Sequence, residues 1–599
     1  MLVHAERALE LWSAVEDPER LTGTTESALT REAAWAASAS GDPDRGTALG
    51  ARAVRVADLT EGPAARAEAR RHYAMRLLDD GARLDAAVAA AAEAVALQAG
   101  DPPGTDLAWS HAVLARAHLS ADHAEPAWSH ARQSLAVARA VHESAPPVEG
   151  SAEYRHLSAV CADALITLAF CARMEGDPQA ARERLAGAAS LAAASGNRVV
   201  ELRTVWNRGV SFIEDGMLDA AADELAEGAR RSAEYGLLWG GYGLEFRVAL
   251  VRVDVQRGEW DAAARTAADA DPTLPLRVTG LLASAGALVA VFRGDLDDAE
   301  ELLAALAVEP PAHDQAALLQ GVVGAESARW RGDPALAVDR VAAALGVLRA
   351  EYPHHLGELV LCALGAAARA DLAEAARTAG DPAACAAHAA AAAGLADEAA
   401  LTAERGLPRG TTVGPEGRAW LARARAEAAR AGGDAAPSVW DVAVETFAGY
   451  GDGYRAAEAR WRQAGALLAR AHRGGHDDRG EADRRAAAED LAVAAAEADR
   501  LGARPLADAV AALRLRAGEG RPRPGPEPGA GGSPLTPREH AVLELVAHGL
   551  TNRAVGERLF ISEKTVSVHL SRAMAKLGAS GRTEAVALAH SRGLLAPRD

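Results

Sequence analysis

One mark recurs along most of this chain: a glycine is followed, five positions later, by a small residue near the start of a helical segment. From residue 176 onward the copies lie 36 to 48 residues apart. A glycine that ends one helix, with a small residue after the turn, fits a pair of closely packed antiparallel helices. Repetition at this period predicts an α-solenoid. The copies are Gly81/Ala86, Gly176/Ala181, Gly216/Ala221, Gly258/Ala263, Gly294/Ala299, Gly332/Ala337 and, more loosely, Gly380/Cys385.

The composition supports an all-α fold. Hydrophobic residues make up 49% of the chain but aromatic residues only 4%, so the core must be built mainly from alanine, leucine and valine. Alanine is the best helix former. The units resemble tetratricopeptide-type repeats, although they are longer and less regular, and we expect the array to cover residues 1–517. The alternative is a helical bundle without repeats.

Residues 518–532 are dominated by glycine and proline and, proline aside, contain no apolar side chain larger than alanine. Such a segment cannot bury a core and predicts a flexible linker. Residues 533–599 beyond it carry nine basic and six acidic side chains, a net charge of +3, which leaves −22 on the rest of a chain whose total is −19. A small basic domain attached to an acidic body indicates that any nucleic-acid binding resides in the tail.

Four helices are predicted in residues 533–599. The first begins at the capping box of Thr536 and Glu539 and stops at Gly549, burying Val542, Leu543 and Val546. The second follows an N-cap at Thr551 and ends near Leu559. The third follows Ser562 and ends near Leu577, before Gly578, and the fourth runs from Ser580 to about Arg592.

The third of these helices has two different faces. An apolar stripe with helical spacing is expected to face the domain core, and it consists of Val566, Leu570, Ala573 and Leu577. The opposite face carries Lys564, Val568, Ser571, Arg572 and Ala575, with Ser567 on its flank. Small polar and basic groups on an exposed helix that follows a short helix and a tight turn suit the major groove of DNA. An exposed Val568 suits contact with a thymine methyl group.

This region resembles the LuxR-type helix-turn-helix over about 65 residues. The motifs that carry the resemblance are Thr536-Pro537-Arg538-Glu539, Gly549-Leu550-Thr551-Asn552, Ile561-Ser562, Lys564-Thr565-Val566, Val568-His569-Leu570 and Lys576-Leu577-Gly578. The resemblance implies a four-helix domain whose third helix reads the major groove.

The same resemblance implies roles for individual residues. The base-reading positions are Ser567, Val568, Ser571 and Arg572. The positions near phosphates are Thr551, Asn552, Lys564, Thr565 and His569. Several relatives have lysine at the positions of Ser567 and Ser571, so their base preference does not carry over. For Lys576 and Arg582 a salt bridge within the domain is as good an interpretation as a phosphate contact, and Glu539 is expected to be structural.

The helical array also resembles part of a larger type of regulator. Segments 454–461 and 501–506 are similar to the end of the helical region in large MalT-like LuxR regulators, which begin with an ATPase module. The only lysines of this chain are Lys564 and Lys576, so no phosphate-binding P-loop lysine precedes the tail. Residues 1–12 resemble a region that follows the ATPase. Either the chain is a natural short form, or its start lies too late and an ATPase precedes Met1.

Other chemistry finds little support. His354-His355 has no partner pair at metal-ligand spacing and predicts a surface loop. Neither a G-x-S-x-G elbow nor an H-E-x-x-H motif occurs, so we expect neither an enzyme nor a cofactor. The tryptophans, exemplified by Trp206, Trp260, Trp330 and Trp461, are expected in the core.

The cellular setting is expected to be the cytoplasm. No uninterrupted apolar run approaches the roughly 18 residues of a membrane span, and the first residues lack the apolar core of a signal peptide. Four cysteines without CxxC spacing are expected as buried free thiols, and they are Cys161, Cys171, Cys362 and Cys385. We expect no contact with a membrane.

The sequence therefore predicts a sequence-specific, DNA-binding transcription regulator that binds as a homodimer, because one reader covers only a half-site. The helical array would act as a sensor, an oligomerisation module or a partner-binding module. Its concave face suits a peptide or small-molecule effector, and RNA polymerase or another protein is a further possible partner. The alternative is mainly a protein–protein scaffold with a tail that binds DNA weakly.

Overall fold

Helices form the secondary structure of this chain. The computed structural model describes residues 2–80, 83–240, 242–269, 274, 276–307, 314–351, 353–406, 413–433, 436–474, 478–517, 535, 537–559, 563–579, 581–592 and 594–595. Within these residues there is no β-strand, as the predicted all-α fold requires. The chain divides into two compact units, Met1–Ala517 and Gly518–Asp599. The predicted linker, residues 518–532, lies outside the described residues.

Twenty-five α-helices and one 3₁₀ turn, Trp12–Ala14, are described in the first unit. In chain order the helices are α1 (Leu2–Leu11), α2 (Pro18–Thr22), α3 (Glu26–Ala39), α4 (Pro43–Thr60), α5 (Pro63–Asp80), α6 (Leu84–Leu97), α7 (Thr105–Ser120), α8 (Ala124–Ser144), α9 (Ala152–Met174), α10 (Pro178–Ser195), α11 (Arg198–Glu214), α12 (Leu218–Glu234), α13 (Tyr242–Arg257), α14 (Trp260–Ala268), α15 (Leu276–Arg293), α16 (Leu296–Leu306), α17 (Asp314–Trp330), α18 (Pro334–Glu351), α19 (Glu358–Ala379), α20 (Pro382–Arg405), α21 (Pro415–Gly432), α22 (Pro437–Tyr450), α23 (Gly453–Gly474), α24 (Asp478–Leu501) and α25 (Arg504–Ala517).

The recurring glycines end helices in the left-handed conformation that favours glycine. Gly176 has φ 82°, and the N–H of the next residue, Asp177, donates to the carbonyl oxygen of Ala172 at 2.9 Å. The glycines at positions 216, 258, 294, 332 and 380 repeat this positive φ and this hydrogen bond. The small residues at 181, 221, 263, 299 and 337 are all buried. The predicted helical repeat is confirmed, although Gly81 lies outside the described residues.

Aspartate caps begin several of the second helices. Asp177 accepts a hydrogen bond from the N–H of Ala180 at 2.9 Å, and Asp333 does the same for Leu336 at 3.0 Å. Proline follows each aspartate, where its missing N–H costs no hydrogen bond. The turn between α7 and α8 lacks a glycine and instead holds Asp122 at φ 59°, so the glycine pattern missed this pair.

The first helix of each pair forms an inner row. α3 packs on α5, and this contact between successive first helices continues through α19 on α21. The first helices are buried more deeply than the second, since α9 buries thirteen residues and α10 only five. The last helices cover part of this row, because α23 packs on α13 and α25 packs on α15. Phe292 of α15 and Tyr454 of α23 stack with ring centroids 4.4 Å apart.

The cysteine prediction was half wrong. Cys171 and Cys362 are buried, but Cys161 and Cys385 are only half-buried. All four are free thiols. Burial raises the pKa of Cys161 and Cys171 to about 11 and that of Cys362 to about 12, which keeps these thiols protonated near neutral pH.

His355 lies 3.3 Å from a carboxylate oxygen of Asp314, and the described residues hold no metal-binding group of three or more histidine, cysteine or acidic side chains. Trp260 is buried, and Trp206, Trp330 and Trp461 pack half-buried against the same core. One helix, α9, is long and apolar enough to cross a membrane, but 72% of its apolar window is buried in the fold.

A histidine contact between α7 and α8 makes stability depend on pH. Burial, with a smaller effect of His130, lowers the pKa of His111 to about 4, and its Nδ1 lies 3.1 Å from that of His130. As the pH falls, His111 therefore takes up a proton near pH 6.5 in the unfolded chain but only near pH 4 in the folded chain. Because protonation favours the unfolded chain, the free energy of unfolding decreases as the pH drops from about 6.5 to 4. Between pH 7 and 5 we expect the wild type to lose about 1–2 kcal/mol more stability than His111→Asn. Urea unfolding midpoints at the two pH values measure this, and equal losses would contradict it.

Candidate nucleic-acid interface

Four helices form the second unit around its own small core. They are α26 (Pro537–Ala547), α27 (Asn552–Leu559), α28 (Glu563–Leu577) and α29 (Arg582–Ser591). α28 packs on each of the other three. The core residues are Leu535, Val542, Leu543, Val546, Ala547, Val555, Val566, Leu570, Ala573, Leu577, Ala585, Ala589 and Leu595. The core contains every apolar residue that the sequence assigned to the first and third helices.

Local signals fix the helix ends. Gly549 and Gly578 have φ 81° and 72°, and each follows a helix that ends where the sequence predicts, within two residues. The Thr551 hydroxyl accepts a hydrogen bond from the N–H of Ala554 at 3.3 Å and so caps α27. The predicted caps Thr536 and Ser562 lie outside the described residues, as does Ser580, and the last helix begins at Arg582.

α28 presents one buried and one exposed face. The predicted stripe that starts at Val566 is buried against the other three helices. The exposed face, which we call the reading face, consists of Ser567, Val568, Ser571 and Arg572. Val568 is 44% exposed, so its methyl groups are accessible on this face. Arg572 is exposed as well, and no carboxylate of the described residues pairs with it.

Polar contacts hold the elements around the reading face. The Asn552 side-chain amide donates to the Ser567 hydroxyl at 3.0 Å and joins the start of α27 to α28. Lys576 donates to the buried carboxylate of Glu539 at 2.6 Å, and Arg582 donates to the carbonyl oxygen of Leu550 at 2.9 Å. Contacts within the domain therefore engage the side chains of Lys576, Arg582 and Glu539. The Asn552–Ser567 contact was not predicted, because neither helix alone indicates which side chain of the other it meets.

The predicted phosphate-contacting residues differ in how exposed their side chains are. Thr551 is exposed, and Asn552 and His569 are half-buried. The side chains of Lys564 and Thr565, at the start of α28, lie outside the described residues. Thr551 and Asn552 lie at the N-terminus of α27, where free N–H groups and the helix dipole favour an anion such as phosphate.

A short helix followed closely by a second helix with an exposed polar face is the arrangement of a helix-turn-helix DNA-binding domain. Residues 533–589 match the family "Bacterial regulatory proteins, luxR family". The spore germination protein GerE of Bacillus subtilis is 52% identical over 52 residues, which span 9% of this chain and 70% of GerE. This chain therefore belongs to the luxR family of bacterial regulatory proteins.

Other relatives match over the same domain. The transcriptional regulatory protein LiaR of Bacillus subtilis is 46% identical over 61 residues, 10% of this chain and 29% of LiaR. The DNA-binding transcriptional activator DevR/DosR of Mycobacterium tuberculosis is 46% identical over 57 residues, 10% of this chain and 26% of DevR/DosR. This chain thus spans less than a third of the length of these two relatives.

Proposed function

We propose that this protein is a transcription regulator that binds specific sequences in double-stranded DNA. The observation that carries the proposal is the reading face of α28, with Val568 exposed and Arg572 without a partner carboxylate among the described residues. Ser567, Val568, Ser571 and Arg572 contact base edges in the major groove. The net charge of +3 on residues 533–599 supplies a salt-dependent attraction to phosphates.

The phosphate contacts in this proposal come from Thr551, Asn552, Lys564, Thr565 and His569. They position α28 without carrying sequence information. Two copies of the chain bind together as a homodimer, since one α28 covers only a half-site. LiaR and DevR/DosR are named as regulators of transcription, which supports the same role here without enzymatic activity.

In the proposed division of labour, residues 1–517 form the sensory, oligomerising or partner-binding module, 518–532 the linker, and 533–599 the DNA-binding domain. Arrays of helix pairs offer extended surfaces for peptides, proteins and small molecules, and RNA polymerase is one partner of the required kind. A regulator of this class acts in the cytoplasm, where its DNA is.

Selection of bound duplexes from a random library by the full-length chain tests the proposal. We expect one enriched motif. A Val568→Ala variant is expected to select a different motif, because the valine methyl groups contact a thymine methyl group. An identical motif for the variant would remove Val568 from the reading face.

A further inference from the structure

A cavity of about 330 Å³ lies near the C-terminal end of the first unit, between α19, α21, α22, α23 and α25. This size suits a small organic ligand. We call it the arginine cavity, because five arginines and a single acidic residue line it. The arginines are Arg377, Arg430, Arg462, Arg473 and Arg516, and the acidic residue is Glu374. Its lining is thus positive in a unit that is otherwise strongly acidic.

The deep arginines of this cavity are already held in place. Arg430 pairs with Asp371 at 2.8 Å, and Arg462 pairs with the same carboxylate at 3.2 Å. Arg430 also pairs with Glu427 at 2.7 Å and Glu374 at 3.0 Å. These ion pairs fix two guanidinium groups in the cavity wall, so their positions do not have to be organised when a ligand arrives.

Arg462 retains an unused hydrogen-bond donor. Its Nε is buried and has no hydrogen-bond partner among the described residues. Burial, and then the positive charge of Arg430, lower the pKa of Arg462, so an added negative charge nearby would be favourable. At the rim, Arg473 and Arg516 are exposed, and no carboxylate of the described residues pairs with either of them.

Another part of the cavity wall is apolar. Trp440 is 1% exposed, and its indole N–H is buried without a partner among the described residues. This apolar wall also contains Leu513, Ala466 and Ala469. Buried indole N–H groups usually donate a hydrogen bond, so Trp440 adds an unfilled donor beside an apolar surface.

We propose that the arginine cavity binds a small organic anion, whose phosphate or carboxylate group meets the arginines and whose apolar body packs on the Trp440 wall. Guanidinium groups form paired hydrogen bonds with both kinds of oxyanion. The inference that this cavity is the sensory site of the regulator rests on the proposed function, whereas the inference that it binds an anion does not.

The position of the cavity suits such a role. Leu513 and Arg516 belong to α25, the last helix before residues 518–532 and the DNA-binding domain. A ligand that contacts both Arg462 of α23 and Arg516 of α25 stabilises the arrangement in which both helices border the cavity. Binding therefore acts on the helix from which the chain continues to the domain that contacts DNA.

Calorimetric titration of the full-length chain without DNA tests the proposal, with phenyl phosphate and benzoate as probes and phenol as their neutral control. We expect saturable binding of at least one anion with a Kd below about 1 mM, and no binding of phenol. The double substitution Arg473→Gln and Arg516→Gln changes only exposed side chains, and it should weaken binding at least about tenfold. Arg425→Gln, at an exposed arginine of α21 outside the cavity, should leave the affinity unchanged.

Absence of binding by both anions would overturn the proposal, as would equal affinity for phenol or an unaltered affinity in the double variant. Inorganic phosphate provides a further arm: if it binds as tightly as phenyl phosphate, the apolar wall has no part in recognition. Because DNA is absent from the titration, a negative result here leaves the proposed DNA binding untouched.

Discussion

Glu458→Gln is expected to lower the free energy of unfolding of the first unit by about 3–5 kcal/mol, the usual cost of leaving buried charges without their partner. The Glu458 carboxylate is 0% exposed, and both of its oxygens accept hydrogen bonds from Arg423 at 2.6 Å. Arg455 and Arg329 approach the same carboxylate at 2.8 and 3.3 Å. The neutral amide keeps the shape of the side chain but removes the negative charge that three buried guanidinium groups share.

This site, the Glu458 cluster, joins three helices of the first unit. Arg329 lies on α17, Arg423 on α21, and Arg455 and Glu458 on α23. Burial by itself would raise the pKa of Glu458, but the positive charges of Arg423, Arg455 and Arg329 hold it well below its usual range. The ionised carboxylate therefore stabilises the fold throughout the neutral range, and its contribution is lost only in strong acid.

Urea unfolding followed by circular dichroism measures the effect, with Glu398→Gln as the matched control. Glu398 pairs with Arg349 at 2.7 Å, but its side chain is 48% exposed, so that pair contributes less than about 1 kcal/mol. If Glu458→Gln shifted the unfolding midpoint no more than the control does, the Glu458 cluster would not hold these helices together.

We expect Arg572→Ala to weaken binding to the preferred duplex about tenfold to a hundredfold, because the proposed pairing of this arginine with a base would contribute about 1–3 kcal/mol of discrimination. Binding to unrelated duplexes changes much less. Lys564→Ala is expected to have the opposite pattern: as a proposed phosphate contact, its loss should weaken binding to every sequence and lower the slope of the salt dependence by about one unit. Fluorescence anisotropy at several salt concentrations separates the two patterns.

Arg592→Ala is the control for Arg572→Ala, since it removes the same charge from an exposed position that follows α29 and is not part of the reading face. Equal losses for Arg572→Ala on the preferred and unrelated duplexes would make Arg572 a phosphate contact and not a base contact. Unchanged affinity and salt slope for Lys564→Ala would remove Lys564 from the set of phosphate contacts.

The features that sequence predicts best here are those that a few neighbouring residues determine. A glycine such as Gly176 or Gly578 marks a left-handed helix end because other residues rarely adopt that conformation. The buried stripe from Val566 to Leu577 follows from the helical period alone. The same reasoning failed at Asp122, which adopts the left-handed conformation without being a glycine.

Contacts between distant segments were not predictable in this way. The Glu326 carboxylate meets Arg455, 129 positions along the chain, at 2.5 Å, and both side chains are buried. In the sequence these residues look like ordinary exposed charges on amphipathic helices. Only the packing of α23 near α17 and α21 brings them together, and the arginine cavity depends on the same packing.

The most direct test of the central claim is selection of bound duplexes from a random library by the full-length wild-type chain. Sequence-specific recognition by α28 of a homodimer predicts enrichment of one motif with two related half-sites, whose enrichment disappears with Arg572→Ala. Recovery of duplexes without any common motif, at an affinity governed by salt alone, would contradict the claim and favour a scaffold whose tail binds DNA without reading it.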